Sequence, residues 1–113
     1  MKSSPTPENV LQSLSEILRE RRQADPEQSY VAGLYREGLD AILRKVAEES
    51  AETLLAAKGE GRDALVHEVA DLWFHSLVLL AHQGIAPEEI TAELARRFGV
   101  SGLEEKASRG EGR

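Results

Sequence analysis

The chain has 113 residues, a formal charge of −6, 30% charged and 41% hydrophobic residues, and no cysteine. That balance fits one folded domain and excludes a disordered chain, a disulfide scaffold and a thiolate metal site. An acidic chain also argues against general nucleic-acid binding, and a polar stretch from Met1 to Val10 with no apolar signal core fits a cytoplasmic protein in a reducing compartment.

Four helical segments are predicted, with no convincing strand. The first covers about Pro7 to Ala24, with Leu11, Leu14, Ile17 and Leu18 at helical spacing. Asp25-Pro26 ends it, since the residue before proline is disfavoured in the α region. A loop with Ser29 and Tyr30 follows. The second helix runs from Val31 or Leu34 to Lys58, with Gly38 as an interruption or kink near its start. Leu39, Ile42, Leu43, Val46 and Leu54 form its apolar stripe, and Gly59-Glu60-Gly61 stops it in a tight connection.

The third helix covers Arg62 to Gln83 and is apolar almost all round. Leu65, Val69, Leu72, Ser76 and Leu79 share one side, Val66, Trp73, Leu77 and Leu80 lie beside them, and Phe74 and Val78 point elsewhere. Such a helix should be buried on most faces, and three short partners can hardly cover it. A homodimer that completes a four-helix-type bundle is therefore expected. The longest unbroken apolar run, Leu77 to Ala81, is far short of a membrane span. The last helix begins near Pro87 and ends near Phe98-Gly99. Residues 1–99 thus form the helical domain, and residues 100–113 a tail that is either mobile or ordered by a ligand.

Carboxylates carry the functional argument. Glu68 and Asp71 lie three apart on the apolar third helix, so they share a face. Two carboxylates about 4 Å apart repel by roughly 4 kcal/mol at an effective dielectric near 20. Desolvation adds to that cost, and such groups respond by protonation, pairing or metal binding. On the second helix Glu49 and Glu52 form a matching pair, with Glu49 bordering the apolar stripe and Glu48 further round. The tight Gly59–Gly61 connection makes the two helices antiparallel neighbours, so the pairs can face each other. Four hard oxygen donors suit Mg²⁺, or Mn²⁺. A ferritin-like di-iron site wants a Glu-x-x-His pair, and neither Glu52 nor Glu68 has a histidine three residues on. His75 lies on the Asp71 face, where it either contacts substrate or hydrogen-bonds Asp71; His67 and His82 read as surface or helix-end residues.

The pattern E-E-S-A-E at residues 48–52 followed by E-V-A-D at 68–71 resembles the all-α nucleotide pyrophosphohydrolases of the MazG-like superfamily. Within it, S-Y-V-A-G-L at 29–34, E-V-A-D-L-W-F-H at 68–75 and R-F-G-V-S-G-L-E-E-K-A-S-R at 97–109 resemble the phosphoribosyl-ATP pyrophosphatase family. Val31 departs from a common threonine, and Trp73-Phe74 from a Leu-Tyr type pair. The resemblance implies hydrolysis of phosphoribosyl-ATP to phosphoribosyl-AMP and pyrophosphate in histidine biosynthesis. It implies Mg²⁺ ions on Glu49, Glu52, Glu68 and Asp71 that polarise the phosphoanhydride and acidify the attacking water. Glu48 would orient that water or take its proton. Lys45 would either pair with Glu49 or bind phosphate. Arg97, Lys106 and Arg109 would approach substrate phosphates, and Ser29 and Tyr30 either touch substrate or pack the loop. Two alternatives stand beside it: a house-cleaning pyrophosphatase acting on free nucleoside triphosphates, and a non-catalytic helical dimerisation module. No nucleic-acid or membrane partner is expected.

Overall fold

A computed structural model of the protein describes residues 4–98, and these hold five α-helices and no strand. Helix α1 spans Val10–Glu20 and continues into one tighter 3₁₀ turn, Arg21–Gln23. Helix α2 spans Tyr30–Glu37, α3 Leu39–Gly59, α4 Arg62–His82 and α5 Pro87–Arg96. The all-α expectation holds. The fifth helix arises because Gly38 divides the segment expected to be one helix, with φ +101° and ψ −176°. That region of backbone space is open essentially to glycine alone. Gly38 closes α2 by donating its N–H to the Leu34 carbonyl at 2.9 Å and opens α3 by accepting from Ala41 at 3.1 Å. Ser29 caps the other end of α2: its Oγ accepts from the Ala32 N–H at 3.1 Å.

Between α3 and α4 lie only Glu60 and Gly61. Gly61, at φ +96°, makes the reversal, and the two long helices form the principal pairing of the fold. At the start of α5, Glu89 reaches back to accept from the Ala86 N–H at 3.2 Å.

The core gathers Leu18 from α1, Val31 and Leu34 from α2, Ala41 and Ile42 from α3, and Leu77, Val78 and Ala81 from α4. Leu18, Ile42 and Val78 are fully buried, and each such side chain contributes about 1.5–3 kcal/mol. Polar ties fix the C-terminal end of α4. Arg22 donates to the Ala81 carbonyl at 2.9 Å and lies over the Tyr35 ring, whose hydroxyl donates to the Leu18 carbonyl at 3.0 Å.

Helix α4 corrects the phase read from its sequence. Val78 and Phe74, placed off the main stripe, face the core, whereas Val66 and Trp73 are exposed. A helix apolar on all sides offers no polar face from which to deduce orientation. By length and mean hydropathy (1.4) α4 could cross a membrane, although its longest unbroken apolar run is short. It carries Glu68, Asp71 and His75 along its middle and packs against α3 and α1. Within one chain only His75, Leu77, Val78 and Ala81 of α4 are buried. Trp73, Ile90 and Leu94 border an apolar groove of about 270 Å³ with Leu11, Leu77 and Leu80. Leu54 and Leu55 on α3 are also exposed.

Candidate metal centre

Glu49 comes from the middle of α3 and is only 6% exposed. Its neighbour in sequence, Glu48, is exposed. About 100° of helical rotation separates them, enough to put one in the bundle and the other on its rim. Across the α3–α4 pairing, half-buried Glu68 and Asp71 meet Glu49, and one carboxylate oxygen from each of the three lies within 4.8 Å of the others. Oε2 of Glu49 is 3.8 Å from the Lys45 ammonium, while Oε1 is buried with no hydrogen-bond partner among the described residues. Leaving a buried acceptor unsatisfied costs about 1–3 kcal/mol, and more for a charged one.

Electrostatics bear out the crowding. Desolvation pushes the Glu68 carboxyl above its ordinary value, Glu52, Asp71 and Glu49 push in the same direction, and His67 opposes them. Glu52 is exposed and lies outside the tight trio, yet its charge is the strongest that Glu68 feels. The expected four carboxylates thus resolve into three that converge and one at the margin.

His75 is buried behind Asp71. Its Nδ1 lies 2.9 Å from the Asp71 backbone carbonyl, and its Nε2 2.9 Å from the Tyr30 hydroxyl. A carbonyl only accepts, so Nδ1 carries the proton; in the neutral ring Nε2 then accepts from Tyr30. Burial raises the Tyr30 phenol above its ordinary value; Lys45 opposes this, and Glu49, Glu48 and Asp71 reinforce it. The phenol therefore stays a donor at neutral pH.

Lys45 pairs with Glu48 at 3.4 Å as well as with Glu49. Ser29 is the α2 cap, a loop-building role. Arg97, just past the end of α5, pairs with Glu93 of that helix at 3.1 Å instead of with the cluster. Lys106 and Arg109 lie outside the described residues. Val31 is buried in the core, where its methyls pack. His67, read as a surface residue, is exposed but brings Nε2 to 3.4 Å from Asp71 Oδ2. Its i,i+4 spacing was the available signal. The Tyr30–His75 contact joins residues 45 apart and left no trace in local spacing.

The donor set is oxygen only, anionic and partly desolvated, and a buried oxygen lacks a partner among the described residues. These features fit a hard divalent cation such as Mg²⁺ or Mn²⁺, and they do not fit zinc held by thiolates.

Fold and site together define the class: an all-α protein with a carboxylate cluster set between two antiparallel helices. Residues 11–98 match the family model described as phosphoribosyl-ATP pyrophosphohydrolase. The chain is 57% identical over 101 residues to the phosphoribosyl-ATP pyrophosphatase of Chromobacterium violaceum, covering 89% of this chain and 94% of the relative. It is 55% identical to the phosphoribosyl-ATP pyrophosphatase of Methylococcus capsulatus, covering 89% and 96%. A third, from Vesicomyosocius okutanii, is 51% identical, covering 90% and 97%. The chain belongs to the phosphoribosyl-ATP pyrophosphohydrolase family, a family of hydrolases.

Proposed function

We propose that this enzyme hydrolyses phosphoribosyl-ATP to phosphoribosyl-AMP and pyrophosphate, a step of histidine biosynthesis in the cytoplasm. The observation that carries the site assignment is the buried, half-partnered Glu49 facing Glu68 and Asp71. Glu49, Glu68 and Asp71 would hold Mg²⁺, or Mn²⁺ in its place, with Glu52 completing the set from the margin. When bound, the ion supplies charge neutralisation for the triphosphate and lowers the pKa of water.

The chain's own residues do the rest. Water adds across the phosphoanhydride that joins pyrophosphate to the nucleotide, and its proton must leave. Exposed Glu48, at the rim beside Lys45, is the assigned acceptor. Tyr30 lines the substrate side, and His75, with both ring nitrogens engaged, acts as a positioning residue between Tyr30 and Asp71. Lys106 and Arg109 would supply cations for the phosphates, with Arg97 joining them on leaving Glu93. A second copy of the chain covers the exposed apolar side chains of α3, α4 and α5.

The test is pyrophosphate release from phosphoribosyl-ATP, with Mg²⁺ and with chelator, in the wild type, Glu49→Gln and Asp71→Asn. Loss of groups that only support ligands costs about 10–100-fold, so each ligand variant should lose at least about 100-fold while keeping its helical circular dichroism. Near-normal turnover in either variant overturns the site. Faster release from free nucleoside triphosphates moves the substrate assignment to a house-cleaning role.

A further inference from the structure

The acidic cluster already contains a cation, and it is covalently part of the chain. Lys45 Nζ lies 3.4 Å from Glu48 Oε1 and 3.8 Å from Glu49 Oε2. The second distance is beyond hydrogen-bond range, so the contact with Glu49 is charge pairing. One ammonium shared between Glu48 and Glu49 cannot neutralise Glu49, Glu68 and Asp71 together, and His67 beside Asp71 is a cation only when protonated. The ammonium also leaves Glu49 Oε1 without a hydrogen-bond partner among the described residues. Lys45 thus half-satisfies the buried acid without satisfying the cluster.

A lysine is suited to give way. Its ammonium is a compact point charge on a flexible stem, easily rehydrated when it swings out. A third of the Lys45 side chain is exposed, whereas the Glu49 side chain is 7% exposed, so the way out leads to solvent. A divalent ion drawn to Glu49, Glu68 and Asp71 would sit close to the ammonium and repel it.

We propose that Lys45 is a displaceable counter-ion, holding buried Glu49 in the metal-free protein and swinging out when a divalent cation takes its place. The proposal rests on the metal reading above. After displacement the ammonium stands at the mouth of the cluster, where an incoming polyphosphate would meet it. Lys45 remains charged throughout the neutral range. Burial opposes its charge, but Tyr30, Glu48 and Glu49 outweigh burial and raise its pKa.

Mn²⁺ titration of the full chain, followed by loss of the free-ion electron paramagnetic resonance signal, tests this without any turnover. Lys45→Met should bind Mn²⁺ about tenfold more tightly than the wild type, because a repelling charge is gone. Its metal-free melting temperature should fall and its rise on adding Mn²⁺ should grow. Lys45→Arg, which keeps the charge, should bind no tighter than the wild type. Lys45→Gln carries the same expectation as Lys45→Met if the methionine variant does not fold. Equal or weaker Mn²⁺ binding by the uncharged variants, beside a wild type that binds, overturns the counter-ion role alone. A wild type that binds no Mn²⁺ overturns the metal reading and this inference with it.

Discussion

Adjacent glutamates show how much one residue's phase decides. Glu48 and Glu49 have the same chemistry, yet one is on the rim and the other in the bundle. That difference was legible, because Glu49 borders the apolar stripe of its helix. The partners of Tyr30 were not legible, since spacing along one helix says nothing about a contact from a distant loop. Glu68 offers a direct test of the crowding. Its folded-state pKa lies above the ordinary value of 4.5, so the fold favours its protonated form. The associated stability is present below about that value and is lost as pH rises through the folded pKa. At neutral pH without metal, Glu68 therefore weakens the fold. Glu68→Gln should melt at a higher temperature than the wild type at pH 7 in chelator, and the gap should close as pH falls towards 4. Equal melting temperatures at pH 7 would show that the carboxylates do not crowd each other.

Helices were read more reliably than their ends. Turn chemistry at Asp25-Pro26, Gly59–Gly61 and Pro87 placed the breaks between segments. The sequence reads Gly38 as an interruption or a kink and does not choose between them, because glycine is tolerated within helices at modest cost. Only its φ of +101° reveals that two helices meet there. A Cβ added at Gly38 would touch nothing within 4 Å, so a substitution there probes the backbone alone. Gly38→Ala should cost about 1–3 kcal/mol in urea unfolding. A cost below a few tenths of a kcal/mol would mean that α2 and α3 join without that conformation. The orientation of α4 was illegible for the opposite reason: with apolar residues on every side, nothing in its pattern marks which face meets the protomer core.

At the scale of the molecule, the all-α fold and the family were both readable, the one from periodicity and the other from the spaced acidic motifs. The proposed dimer follows from what one chain leaves uncovered. Trp73 is 58% exposed beside Ile90 and Leu94, an apolar surface that a second copy would cover. Sedimentation at micromolar concentration should show a homodimer for the wild type and a smaller species for Trp73→Glu, with helicity retained in both. A wild type that sediments as a monomer would contradict the dimer and leave the acidic site untouched.

The proposed site depends on a divalent cation among carboxylates from α3 and α4. Crystals grown with Mn²⁺ and measured for anomalous scattering address that claim without intermediaries. An anomalous peak is expected between Glu49, Glu68 and Asp71, with Oε1 of Glu49 as a ligand. A well-ordered cluster with no peak there, in crystals that bind Mn²⁺ elsewhere, would contradict it.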